Sequence, residues 1–311
     1  MGYHPRIETN ELADFLTTRT RNSQLWLINN LNLEKAILGY AAKYSNRYKV
    51  DLYALAIQGN HLHCTAQFNN LNRSDFMRDF KSSVAKAVSR YCHSYPGGTL
   101  WGRRYSNEFL PGSDDIENWF FYTVLQPVND GLVEKISDYP GYNCFHDAVW
   151  GIKRTFKIMN WSAYHKAKKL NPKVKKIKFL EKYILEYKRL PGYESLSQKE
   201  YAKLMMKKLE ARRLEIIHKR FSEGKKFLGR KAILQTKPGS LPIQTKNSTR
   251  NSHRPRVLCV CPQRRAETLK WYFSIYNLYK QISLAYRQGN SLVSFPPGTH
   301  KPYCKTSTLL L

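Results

Sequence analysis

The chain of 311 residues has no run of about 18 apolar residues, the length that a membrane-crossing helix needs. Its opening residues, Met1-Gly2-Tyr3-His4-Pro5-Arg6, carry no apolar stretch of the secretory kind. Gly2 follows Met1, but Arg6 stands where a myristoylation signal wants Ser or Thr. Cysteine is scarce and scattered. Cys64, Cys92, Cys144, Cys259, Cys261 and Cys304 show no C-x-x-C spacing, and Cys259-x-Cys261 has no second pair, so neither a zinc site nor a disulfide framework is read. No repeat of fixed period is present. These absences predict a cytoplasmic protein with reduced thiols and no membrane association.

Acidic residues almost vanish from the second half. Residues 1–150 hold 15 Lys+Arg and 15 Asp+Glu and are neutral. Of the totals of 52 and 23, that leaves 37 basic and 8 acidic residues for 151–311, which therefore carry the whole net charge of +29. Two kinds of chain do this, polyanion binders and chains with a basic solvated tail. An aromatic content of 13%, with 21 Tyr, argues against a plain disordered tail. The expectation is a neutral chemical domain joined to a cationic, nucleic-acid-binding region.

Pattern supplies the elements. Ala13–Arg21 reads as a strand, Leu33–Tyr48 as a helix capped by Asn32, and Val50–Gln58 as an apolar strand ended by the turn residues Gly59-Asn60. His61–Phe68 reads as a third strand, and Ser74 as the cap of a basic helix over Asp75–Tyr91. After Pro96-Gly97-Gly98, Thr99–Leu110 reads as another strand or hairpin arm. Ser113 or Asp114 then caps a helix running through about Leu125, which Pro127 ends or kinks. The order strand, helix, strand, strand, helix, strand, helix predicts a split β-α-β, ferredoxin-like α+β domain, with helices on one face of an antiparallel sheet. Four segments are expected: a catalytic domain over 1–150, a basic helical DNA-binding extension over 151–234, a linker over 235–256 and an aromatic-rich segment over 257–311. Within the extension, Phe179–Leu190 and Gln198–Phe221 read as two basic helices joined through Pro191-Gly192. Val257–Cys261 reads as strand-like, and Leu269–Tyr286 has apolar residues at helical spacing.

Two groups of residues carry chemistry. In a strand, His61 and His63 point the same way, while Leu62 and Cys64 point to the other face. Two imidazoles on one face begin a metal site; read alone, the pattern is common and more often a pair of surface histidines. On a helix, Tyr122 and Gln126 share a face at i and i+4. A Gln carbonyl can complete a site begun by two His, and a phenol beside a divalent cation deprotonates more easily and can attack phosphorus. Read alone, the same Tyr is an aromatic packed among Trp119, Phe120 and Phe121.

Taken together, these stretches resemble the single-tyrosine HUH transposases of the insertion-sequence type, and more closely the REP-associated tyrosine transposases. The stretches are FLTTRTRN (15–22), AIQGNHLHCTAQF (56–68), LWGRRYSNEF (100–109), FFYTVLQPVNDGLV (120–133) and DYPGYN (138–143). The resemblance covers roughly residues 10–150. It implies His61 and His63 as metal ligands with Gln126 as the third, and Tyr122 as the nucleophile. REP-associated members often carry Asn four residues after the tyrosine; Gln occurs there in their insertion-sequence relatives, and either amide offers a carbonyl. The implied reaction is Mg²⁺- or Mn²⁺-dependent nicking and strand transfer on hairpin-bearing single-stranded DNA, through a 5′-phosphotyrosine. Arg19 and Arg21 on the first strand, and Arg103 and Arg104 before the tyrosine helix, are the candidate phosphate contacts. Tyr105 is the rival nucleophile. The expected setting is a cytoplasmic, nucleoid-associated monomer or homodimer. The alternatives are a non-catalytic or domesticated DNA or RNA hairpin binder on the same scaffold, and a replication or mobilisation relaxase. The latter usually carries further tyrosines or a helicase region, which are not visible in this chain.

Overall fold

Strands buried along nearly their whole length, rich in apolar, β-branched and aromatic residues, build the first half of the chain. The computed structural model describes residues 5–242 and 255–303. The N-terminal reading at residues 1–4, most of the expected linker (243–254) and Cys304 lie outside the described residues. The first elements are β1 (Ala13–Arg19), α1 (Leu31–Tyr48), β2 (Val50–Ile57), β3 (His61–Phe68), α2 (Arg73–Tyr91), β4 (Ser106–Leu110) and α3 (Ser113–Val124). This is the expected order, and the α+β class is borne out. A short turn α4 (Gln126–Asn129) and helix α5 (Phe145–Trp150) follow.

The sheet runs β2-β3-β1-β4-β7, where β7 (Arg256–Val257) joins parallel to β4 and the other neighbours are antiparallel. β1 and β3 pair with Phe15 opposite Thr65, Thr17 opposite His63 and Arg19 opposite His61. Paired residues share a face, so these six side chains lie on one side and Asp14, Leu16, Leu62, Cys64, Ala66 and Phe68 on the other. Helix α2 covers the second face: Phe76 meets Phe68, and Arg73 grips Asp14 at 2.6 Å with both side chains buried. Helix α1 packs on α2, through Tyr44 to Ser83 and Tyr48 to Asp79. Helix α3 lies on the first face, where Trp119 meets Phe15 and the Thr123 and Thr65 hydroxyls are 3.3 Å apart. The expectation of helices on one face is thus corrected. Phe15, Thr65 and their neighbours make a second apolar face, which must also be covered.

Several boundaries move for local reasons. Asn30, not Asn32, caps α1, because its side chain accepts from the Leu33 N–H. The segment 100–104 is not strand; Arg103 and Arg104 sit in the loop ahead of β4. Past Phe179, which ends a 3-10 turn, the expected helix over 179–190 is absent: β6 (Leu180–Leu185) pairs with β5 (Arg154–Met159), alternating exposed and covered positions at period two. Between those strands lies α6 (Trp161–Leu170). The β5–β6 hairpin packs on α1, where Gly39 leaves room for Ile158 that a Cβ would fill.

The later helices are α7 (Gln198–Ser222), α8 (Arg230–Gln235) and α9 (Pro262–Arg287). Each docks on the first half. α9 buries Tyr272 against Phe109 and Ile7, and α8 buries Ile233 with Val133 and Tyr139. Of the expected linker, Gln235 closes α8, and Gly239 lies against the Trp26 ring.

The Arg73–Asp14 pair is desolvated, so removing one partner strands a charge. Arg73→Met should lower unfolding free energy by about 3–5 kcal/mol in urea titrations. The double replacement Asp14→Leu with Arg73→Met should recover most of that loss; an equal loss in both variants would show that the pair is not the cause.

Candidate active site

Strand β3 presents His61 and His63 at ring-centroid separation 4.6 Å, and both are nearly buried, at 7% and 5% exposure. Each ring is oriented by a side chain. The Asn60 carbonyl accepts from His61 Nδ1 at 2.6 Å, and the Thr17 hydroxyl meets His63 Nδ1 at 3.2 Å. Such contacts hold each ring by its Nδ1 edge. Burial, with Arg19 nearby, pulls the His63 pKa down to about 3, so its ring is neutral and keeps a lone pair. His63 Nε2 is buried without a hydrogen-bond partner. Ala56 lies opposite His63 on β2 and leaves space at the sheet face for the imidazole.

Helix α3 brings Tyr122 to this pair. Its ring stands edge-on to His63 at 6.0 Å and to Phe15 at 5.6 Å, and against Trp119 at 4.4 Å. Phe120 and Phe121 turn inward and are buried, while Tyr122 keeps 39% exposure. A phenol in a solvent-facing notch next to two histidines is placed to meet a substrate. Tyr105 is not so placed. It is buried, with Arg6 over its ring at 4.1 Å and its hydroxyl at 3.2 Å from Ser74. Gln126 follows at the first residue of α4, after the helix turns at Leu125, and is buried.

Among the described residues no group of three or more His, Cys, Asp and Glu is placed to hold a metal. Two buried imidazoles, one with an orphaned Nε2, fit a divalent ion of the Mg²⁺ or Mn²⁺ type when completed by a carboxamide.

The four arginines come together through the backbone. Arg19 ends β1 opposite His61, and Arg21 lies in the turn that follows. The Arg21 N–H donates to Leu100, the Gly102 N–H donates to Arg19, and Thr20 bridges to Trp101. The exposed loop of Arg103 and Arg104 therefore runs alongside Arg19 and Arg21. Lys81 donates to the Arg103 carbonyl; burial and the neighbouring Arg6 and Arg104 depress its pKa to about 8. Positive charge is thus crowded along one rim that begins at the histidines.

The tyrosine helix is held from outside the first half. Glu117 takes Lys208 at 2.9 Å and Arg212 at 3.4 Å from α7, and also accepts from Tyr193. Arg212 lies 4.4 Å over the Phe121 ring and donates to Asn118. Arg264 of α9 grips Asp114 and Asp115 at the helix N-terminus. The sequence reading missed this clamp, which joins residues about ninety to one hundred and fifty positions apart. It also passed over Gln58 and Thr17, and gave Asn60 only as a turn residue. The i, i+3 positions around Gly59-Asn60 were the available signal for Gln58.

The fold and site define a class: an α+β domain that sets a His-x-His strand pair and a helix-borne tyrosine on one sheet face. Residues 16–120, about a third of the chain, match the family model described as Transposase IS200 like; the match contains both histidines and stops two residues before Tyr122. The chain is 25% identical, over 128 residues, to a Haemophilus influenzae protein that bears the provisional name REP-associated tyrosine transposase, covering 36% of this chain and 72% of the relative. A solved structure of a REP-associated tyrosine transposase bound to a REP hairpin is 21% identical, covering 47% of this chain and 84% of that one at a TM-score of 0.40. A solved structure from Deinococcus radiodurans that bears the provisional name transposase is 20% identical, covering 32% of this chain and 78% of that one, at a TM-score of 0.27. The family model and the Haemophilus relative bear out the resemblance over the N-terminal part of the chain.

Glu117→Ala should free α7 from the tyrosine helix. Expected are a loss of about 1–3 kcal/mol of stability and faster tryptic cleavage within α7. Cleavage at the parental rate would show that the apolar contacts alone hold it.

Proposed function

We propose that the chain is a metal-dependent, single-tyrosine DNA strand transferase acting on hairpin-bearing single-stranded DNA. The observation that carries this reading is Tyr122 standing solvent-exposed beside His63 and His61 on one sheet face. His61, His63 and Gln126 would hold a divalent ion, which would supply positive charge at the scissile phosphate. The Tyr122 phenol oxygen forms the new bond to phosphorus, and the bond to the 3′ oxygen breaks. That oxygen leaves as a 3′-OH after taking up a proton, and a 5′-phosphotyrosine remains. Attack by another 3′-OH reverses the step and joins strands without nucleotide hydrolysis. Arg19, Arg21, Arg103 and Arg104 position the backbone.

The basic region supplies a second grip. Residues 153–182 hold 11 Lys+Arg against one acid, Glu181, and lie in β5, α6, β6 and their connections. Arg90 of α2 stacks 4.4 Å from the Trp161 ring within this surface. Among the described residues no helix is long and apolar enough to cross a membrane.

The test uses labelled hairpin single strands from the DNA that flanks the gene, with Mg²⁺ or Mn²⁺, on denaturing gels. A covalent protein–DNA band should form and should vanish with EDTA, with Tyr122→Phe and with His63→Ala. Binding without such a band, across ions and flanking sequences, would favour the non-catalytic hairpin binder. A band that persists in Tyr122→Phe would refute the assigned nucleophile. In a separate titration, Arg103→Ala with Arg104→Ala should reduce the slope of log K against log salt by about 1.4–1.8, as expected for two lost phosphate contacts. An unchanged slope would remove both residues from the DNA path.

A further inference from the structure

Gln58 is only 2% exposed, and both polar atoms of its amide are buried without a hydrogen-bond partner. A buried carboxamide that bonds to nothing weakens the fold unless some partner arrives. Strand register shows where that partner belongs. Ile57 pairs with Leu62 and Ala56 with His63, and the Gln58 N–H donates to the His61 carbonyl at 2.9 Å across the turn Gly59-Asn60. Gln58 is therefore the cross-strand neighbour of His61 and shares the histidine face. His63 Nε2, the other unpartnered buried group of this face, lies one strand pair further on.

The turn has little freedom to move Gln58 elsewhere. Asn60 donates to the Ser23 carbonyl and orients His61, and Gly59 packs so closely against Leu25 that a Cβ there would collide. A carboxamide oxygen is a hard, neutral donor of the kind that completes a Mg²⁺ or Mn²⁺ shell begun by imidazoles. We infer that Gln58 is a further ligand residue of the divalent cation at His61 and His63, reaching it from the end of β2 while Gln126 reaches it from α4. The inference rests on the metal reading of the site given above.

The test is Mn²⁺ binding to the full chain, followed by calorimetry and by electron paramagnetic resonance, with thermal unfolding in EDTA and in Mn²⁺. The variants are Gln58→Leu, which keeps the bulk, and Gln58→Glu, which adds a carboxylate. Gln58→Leu should bind Mn²⁺ at least about tenfold more weakly, unfold no earlier than the parent in EDTA, and gain less from added Mn²⁺. Gln58→Glu should bind at least as tightly as the parent. Parental Mn²⁺ affinity in Gln58→Leu would overturn the inference alone and make Gln58 a core amide bonded to buried water. A parent chain that binds no Mn²⁺ would overturn the metal reading and this inference with it.

Discussion

The pairing of β1 with β3 is the constraint on which the rest depends. Because Thr17 stands opposite His63 and Arg19 opposite His61, one register sets the ring orientation, the neighbouring positive charge and the face on which both appear. A slip of one residue would send both histidines into the α2 side and bring Leu62 and Cys64 out. The Arg73–Asp14 ion pair fixes β1 from the other face, and the Asn60 turn fixes β3 at its start. The histidine pair is therefore held from the opposite sheet face as well as from its own turn.

The second constraint is the placement of the tyrosine helix. Its buried residues Ile116, Phe120 and Val124, with the Thr123 hydroxyl beside that of Thr65, seat it against the core. The acidic residues near its start, Asp114, Asp115 and Glu117, face cations delivered by α7 and α9. Acidic side chains in a first turn also suit the helix dipole. The C-terminal half thus has two tasks. Its lysine-rich hairpin and α6 project charge, while α7 and α9 brace the helix that carries Tyr122.

That division explains why a neutral domain and a strongly basic one form one structure. β7 adds a strand beside β4, and Arg256 pairs with the buried Glu108, so the last segment completes the sheet that the first began. Tyr272, in turn, donates to the Pro5 carbonyl and encloses the N-terminal stretch.

Much of the first half was legible in the sequence. The strand His61–Phe68 could be placed to the residue, because period-two alternation and a flanking Gly-Asn turn are local signals. The i, i+4 spacing of Tyr122 and Gln126 was equally local. The cap of α1 was misplaced because Asn30 and Asn32 both offer a side chain, and only the geometry at Leu33 selects one. Residues 179–190 were read as a basic helix because lysine spacing satisfies many periods; pairing with β5 decided otherwise. Composition alone determined that the second half is cationic, since charge needs no neighbours to be counted. Only the tertiary structure decided that Glu117 meets Lys208, that Arg103 runs beside Arg19 and that Gln58 faces His61. Such contacts arise from strand register and helix docking between distant segments, and neither leaves a pattern in the residues between them.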